Sequence, residues 1–308
     1  MPYMLNEPQT TTGGRLTRRG FVKTTLAAVA GLAAGTALGQ PTAGNHLHRY
    51  RISVCDIMLL KRQKLGAIKL AREIGADGVE LDMGGLGQRP QFDNQLADAT
   101  IREQFINTAE ATGLAFSSLA MTAYYAQSFA DHPAADRTIE QWMETAHQMQ
   151  IRVGFLPLGV RGDITDAGIR KKIVDRLRQH APQIEAAKLV LGLEANTDAD
   201  GYNRLLDEIG SPGVQAYFNF QSPLKAGLDV GDELRKLGKD RVCQIHCTDD
   251  DGHWLQDNPR LDMKNVKQAL DEIGYSGWLT LERSRVGGKS VKENFGANAA
   301  YLKSVFQA

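Results

Sequence analysis

Residues 65–83 read LGAIKLAREIGADGVELDM. Ile68, Ala71, Ile74 and Ala76 recur at helical spacing, Gly75 stops the pattern, and GVELD follows as a short β-branched run. A helix that hands straight over to a strand is half of a βα unit. VKQALDEIGYSGWLTLE, residues 266–282, repeats the design near the other end of the sequence. Working outward from these two stretches, eight aliphatic or β-branched runs alternate with amphipathic segments of 12 to 20 residues. The strands expected are 51–57, 78–83, 115–121, 152–159, 188–195, 214–220, 242–249 and 278–284. Eight such units predict a single-domain α/β fold, a closed (β/α)8 TIM barrel over residues 50–308. An open doubly wound sheet is the alternative. No GxGxxG turn follows the first strand, so dinucleotide binding has no support.

Ahead of the barrel, Thr17, Arg18, Arg19, Gly20, Phe21, Val22 and Lys23 lead into an uncharged Ala- and Gly-rich stretch from Thr24 to Gly39. That stretch is short of the roughly 20 residues a membrane span needs. Residues 1–39 therefore read as a twin-arginine signal peptide and 40–49 as a linker, and the expected location is periplasmic or secreted with no membrane anchor once the signal is removed. Without the signal, 32 basic residues face 35 acidic ones, a net charge of −3, and no basic footprint for nucleic acid is present. The three cysteines, Cys55, Cys243 and Cys247, include no CxxC pair. Cys243 and Cys247 would lie roughly 13 Å apart along one strand, too far to bridge. They read as packed thiols.

In a closed barrel alternate strand residues point inward, and functional side chains gather at the C-terminal strand ends. Leu189, Leu191 and Leu193 outward put Glu194 inward; Cys243, Ile245 and Cys247 outward put His246 inward. The same parity turns Glu80, Asn219 and Glu282 into the barrel. Several carboxylates and an imidazole in one low-dielectric mouth call for a cation, and this donor set suits one divalent metal ion, Mn, Mg, Co or Zn. Glu80 is expected to bind a substrate hydroxyl or a neighbouring Arg, or to serve as a structural carboxylate. His253 and Trp254 after the seventh strand and Tyr124 and Tyr125 after the third are expected on the same face, with Tyr124, His253 and Trp254 as substrate-binding candidates.

GADGVELDMGG (75–85), LGLEAN (191–196), YFNFQSP (217–223), IHCTDDDG (245–252) and IGYSGWLTLE (273–282) together resemble the sugar phosphate isomerase/epimerase family of the xylose isomerase-like barrel superfamily. The resemblance spans essentially all of residues 50–308. It implies metal ligands at Glu194, Asn219, His246 and Glu282, with Glu194 and Glu282 as the catalytic acid/base pair. Asn219 departs from the usual Asp, Ser222 from a common Asn or His, and Thr248 from a frequent Lys, which points away from phosphorylated substrates. The implied activity is isomerisation or epimerisation of a non-phosphorylated or oxidised sugar through an enediolate, with a small-molecule sugar as partner and a homo-oligomer compatible with the sequence. A metal-dependent lyase or hydrolase on a sugar derivative, and a non-catalytic secreted carbohydrate-binding barrel, are the rivals.

Overall fold

The computed structural model describes residues 48–308; the expected signal peptide and residues 40–47 of the expected linker lie outside them. The chain runs β1 (Tyr50–Cys55), the single turn α1 (Asp56–Leu59), α2 (Leu65–Ile74), β2 (Gly78–Asp82), α3 (Ala99–Thr112), β3 (Ala115–Ala120), α4 (Ala135–Met149), β4 (Val153–Pro157) and α5 (Ala167–Ala186). It continues with β5 (Val190–Glu194), α6 (Ala199–Ile209), β6 (Val214–Asn219), α7 (Gln221–Lys225), α8 (Val230–Leu237), β7 (Val242–His246), α9 (Met263–Ile273), β8 (Gly277–Leu281) and α10 (Val291–Phe306). The eight strands close in sequence order into a parallel barrel. All eight expected strands are present, each ending one to three residues earlier than its hydrophobic run suggested. Among the described residues no helix is long and apolar enough to cross a membrane.

Glycine sets the helix-to-strand handover. Gly75 ends α2 at φ 88° in the left-handed region, where its N–H reaches back to the last turn and the chain enters β2 three residues later. Outward-facing Val79, Leu81, Leu191, Leu193, Ile245, Leu279 and Leu281 are buried against the helices as one continuous core. The barrel lumen is different. It holds a small apolar cluster of Ala120, Phe155 and Tyr217, floored by hydroxyls and amides. Ser53 Oγ and Thr280 Oγ1 lie 2.8 Å apart, and Gln244 Nε2 donates to Tyr217 Oη at 2.6 Å. Polar lumen residues are tolerated because most of their groups pair with one another, the Gln244 Oε1 excepted.

The seam between β1 and β8 pairs from Tyr50↔Gly277 to Val54↔Leu281. It is fastened from both sides. Arg49, expected in the linker, donates to Tyr275 O and Leu270 O at 2.7 and 3.1 Å, and Tyr50 Oη donates to Asp271. Across the same seam Gln307 Nε2 donates to Tyr50 O at 2.9 Å and Lys303 pairs with Asp77 at 2.6 Å.

All three cysteines are free thiols. Cys247 faces the helices as parity demands. Cys243 does not: the register of β6 and β7 shifts between Ala216 and Tyr217, and this bulge turns Cys243 into the lumen. A Cβ on Gly192 would stand 2.5 Å from the Cys243 sulfur and 2.9 Å from Tyr217 Cβ. Gly192 is thus the gap that admits both side chains.

Candidate active site

Glu194, Asn219 and His246 are the last residues of β5, β6 and β7, and Glu282 follows the last residue of β8. Parallel strands of a closed barrel deliver all four to one rim. His246 Nδ1 lies 2.9 Å from Glu194 Oε2 and 3.7 Å from Glu282 Oε2. On its other edge His246 Nε2 lies 3.2 Å from Glu80 Oε1. Phe155 and Tyr217 pack edgewise on the imidazole, each 4.6 Å between ring centroids. Tyr125 Oη donates to Glu282 Oε1 at 2.8 Å and to Glu194 Oε1 at 3.1 Å, so one phenol bridges the two carboxylates.

Burial works against every charge here. It would lower the His246 imidazole, but the Glu282 and Glu80 carboxylates and the hydrogen bonds to Glu194 and Glu80 hold it well above its ordinary value. Burial lifts Glu282, and neighbouring Glu194 adds to the rise against the pull of His246. Burial would lift Glu80 too. The His246 charge and donors from His246, Cys55 and Tyr217 keep it below the usual carboxylate range. Tyr125 is pushed up by burial and by the charges of Glu194 and Glu282.

Do these residues fit a divalent cation? Glu194, His246 and Glu282 each offer a ligand atom within 4.8 Å of the others. Three nearly buried carboxylates, Glu80, Glu194 and Glu282, face one imidazole, and no Lys or Arg among the described residues pairs with any of them. Three carboxylates around one imidazole are an excess of negative charge, and a divalent ion would offset it with His246 then neutral and ligating. The His246 geometry agrees: Nδ1 faces the two carboxylates of the rim while Nε2–H is oriented by Glu80, the usual arrangement of a ligating imidazole and its carboxylate partner.

Asn219 departs from its expected place as a ligand. Its Nδ2 donates to Glu194 Oε2 at 2.8 Å, while its oxygen accepts the Gln221 N–H at 2.9 Å at the start of α7. The oxygen is turned from the rim. Asn219 orients Glu194 instead. Glu80 borders the cavity over the rim with both oxygens already engaged: Cys55 and His246 occupy Oε1 at 3.0 and 3.2 Å, and Tyr217 and Ser118 occupy Oε2 at 2.6 and 2.7 Å. It is the structural carboxylate under the histidine.

Three substrate-binding expectations are corrected by position. Tyr124 is fully buried, bonds Thr138 Oγ1 at 2.7 Å and stacks edge-on with Phe129. The 3-10 turn Thr122–Tyr125 aims adjacent residues to opposite sides, so Tyr125 takes the mouth and Tyr124 the core. Gly159 seats that turn. At φ 60°, its absent Cβ would stand 2.5 Å from the Tyr125 carbonyl oxygen. Trp254 is pinned to α10 through Nε1 and Asn294 Oδ1 at 2.9 Å, and His253 is exposed beside it; neither lines the mouth. Tyr125→Phe is accordingly expected to lower turnover about tenfold through loss of a hydrogen bond to charged groups, and Tyr124→Phe to leave turnover within about twofold because it touches no rim group. Initial rates of the two variants check the assignment.

A cavity of about 210 Å³ lies over the rim, bounded by Cys55, Met58, Arg62, Tyr125, Phe155 and Glu282. A larger groove of about 500 Å³ beside it holds none of Glu80, Glu194 and Glu282. Strand parity could have marked Cys55 as inward-facing. Arg62 carried no such signal, because it sits in a loop that only tertiary contacts fix.

A family profile described as "Xylose isomerase-like TIM barrel" matches residues 68–305. The chain is 28% identical over 187 residues to a 2-epi-5-epi-valiolone 7-phosphate 2-epimerase from an Actinoplanes species, covering 59% of this chain and 67% of that protein. Among solved structures, a D-psicose 3-epimerase crystallised in the presence of D-fructose is similar at a TM-score of 0.67 with 13% identity, covering 84% of this chain and all of the other. A 3-keto-D-glucoside 4-epimerase from E. coli is similar at 0.66 with 16% identity, covering 83% and 99%.

Proposed function

Because the chain belongs to the xylose isomerase-like TIM barrel family, we propose that it is a metal-dependent isomerase or epimerase of a non-phosphorylated or oxidised sugar. The observation that carries this is the Glu194–Tyr125–Glu282 bridge over His246, two carboxylates on one rim with no Lys or Arg among the described residues paired to either. Epimerase names among the relatives support the same reaction class.

Glu194, His246 and Glu282 are the residues that would hold the ion, which when bound supplies Lewis-acid stabilisation of charge developing on a carbonyl and its neighbouring hydroxyl. Proton transfer falls to the protein. Glu282, raised by burial, is suited to hold a proton at a carboxylate oxygen and release it, and Glu194 is the second base. One removes the proton from the carbon beside the carbonyl, giving an enediolate, and the other returns a proton. Tyr125 O–H steadies whichever carboxylate is ionised. Phe155 and Met58 shield the exchange from bulk water.

We propose in addition that the protein acts outside the cytoplasm. Arg18 and Arg19 ahead of an Ala- and Gly-rich stretch support twin-arginine export, a route for folded proteins loaded beforehand.

Protein purified without chelator is expected to carry near one equivalent of Mn, Co, Zn or Mg per chain by elemental mass spectrometry. Glu194→Gln and His246→Ala should both lose it. Incubation with sugars in deuterated water should then label the carbon next to the carbonyl. A wild type that takes up no ion from any of the four salts and labels no sugar sinks the proposal.

A further inference from the structure

The loop between α1 and α2 has more structure than a connection of five residues needs. Gln63 is 2% exposed and adopts φ 54°, the left-handed region that a side chain such as glutamine rarely occupies. Every polar group of Gln63 apart from its carbonyl is committed: N–H to Asp56 at 2.8 Å, Nε2 to Asp82 O and Asn94 Oδ1 at 2.9 and 2.6 Å, and Oε1 to the Gln95 N–H at 2.8 Å. Such outliers are kept where the surroundings over-determine them, and they point to function. What this one fixes is its neighbour, Arg62.

Arg62 Nε lies 2.8 Å from Asp82 Oδ1, and Nη2 donates to Thr122 Oγ1 at 3.2 Å. Asp82 is wholly buried, so one edge of the guanidinium is anchored in the protein. A plain counter-ion for Asp82 would use the two-pronged geometry that Arg and carboxylate prefer. Arg62 instead approaches Asp82 through Nε at ion-pair distance without a hydrogen bond from that nitrogen, and Nη1 has no partner among the described residues. Arg62 is the sole Lys or Arg bounding the cavity that also contains Glu282 and His246. It also bounds the adjoining groove, together with Lys61 and Lys64, both exposed and neither in an ion pair among the described residues. The acid of that groove, Asp93, already faces Arg89 at 3.7 Å.

We infer that this loop is a specificity-determining anion subsite: Arg62, backed by Lys61 and Lys64, receives a carboxylate or phosphate at the end of the substrate away from its hydroxy-carbonyl centre. The inference rests on the Glu194 and Glu282 rim being a sugar-transforming site, and it directs the substrate class to acidic sugars, a phosphate outcome replacing the non-phosphorylated part of that reading. Carboxylate and phosphate share the chemistry that a guanidinium edge recognises, and an oxidised sugar or a sugar phosphate would bring it.

The test titrates the full chain by calorimetry with three six-carbon probes that differ in one end group: D-glucitol, D-gluconate and D-glucitol 6-phosphate. At least one anion is expected to bind about tenfold or more tightly than D-glucitol, with the advantage shrinking as salt is raised. Preference for gluconate alone identifies an oxidised sugar, and preference for the phosphate alone a sugar phosphate. Arg62→Gln, and separately the exposed pair Lys61→Gln with Lys64→Gln, should lower anion affinity by a larger factor than D-glucitol affinity and so erode the anion advantage. The Lys pair keeps the test valid even where Arg62→Gln unfolds through Asp82. Equal affinity for all three probes, no anion binding at millimolar concentration, or variants that weaken all three alike overturns the inference. The readout needs no turnover. An anion preference without deuterium exchange would sink the isomerase reading alone, and exchange without an anion preference would sink this inference alone.

Discussion

His246→Ala is expected to cost about 3–5 kcal/mol of stability in metal-free protein, the range for removing one partner of a buried ion pair. His246 is fully buried with Glu80 at one nitrogen and Glu194 at the other. Alanine leaves Glu80, 1% exposed, with no cation among the described residues and with only Cys55, Ser118 and Tyr217 as donors. Urea unfolding of chelated protein measures the loss. Glu80→Gln/His246→Ala should recover much of it, because the amide carries no charge to strand. A loss below about 1 kcal/mol would mean that the Glu80–His246 pair is not ionised in the fold. The pH dependence has a definite sign. The His246 pKa is raised in the folded state, so its contribution is complete below the unfolded value of about 6.5 and disappears only as pH rises through the higher folded value. Chelated wild type should therefore lose this increment on the alkaline side, and the alanine variant should show no such loss.

Glu282→Gln is expected to slow deuterium exchange into substrate by about 10²–10⁴-fold, the usual contribution of a positioned acid or base. The amide is nearly the same size and its oxygen can still accept from Tyr125. Folding should be spared. Removing one of three clustered carboxylates relieves repulsion in the chelated protein, so thermal unfolding should move up or stay level while exchange collapses. A variant with exchange within threefold of wild type would assign the proton transfer elsewhere. Parallel metal analysis separates loss of a ligand from loss of a base, since Glu194 and His246 remain.

The barrel and the rim were legible because both follow from period-2 parity. Outward Leu191, Leu193, Leu279 and Leu281 fix the inward direction of Glu194 and Glu282 without any tertiary knowledge. Parity says which way a residue points and nothing about what it meets. Glu80 points inward as expected, yet four donors already saturate it. Asn219 reaches the rim, yet the Gln221 N–H claims its oxygen. Cys243 breaks parity outright because a bulge adds a residue to one strand, and bulges leave no periodic trace. Off the strands the chain has no such period. Tyr124 and Tyr125 are indistinguishable by composition and are separated only by a 3-10 turn seated on Gly159. Arg62 gains its place from Gln63, whose partners Asp56, Asp82, Asn94 and Gln95 come from four different segments.

The seam between β1 and β8 bears on the order in which this protein can come into being. Tyr50 carries bonds to Asp271 and to Gln307, so the first strand and the residues that lock it are separated by 221 and 257 positions. Vectorial synthesis delivers residue 307 last among these, at about 5–20 residues per second. For over ten seconds the nascent β1 has no eighth strand beside it, and no curling of the earlier strands can supply one. Ring closure is therefore a late event of high sequence separation, the kind that makes folding slow. Until it happens Glu282 and Glu194 stand on unjoined parts of the chain, and the rim does not exist.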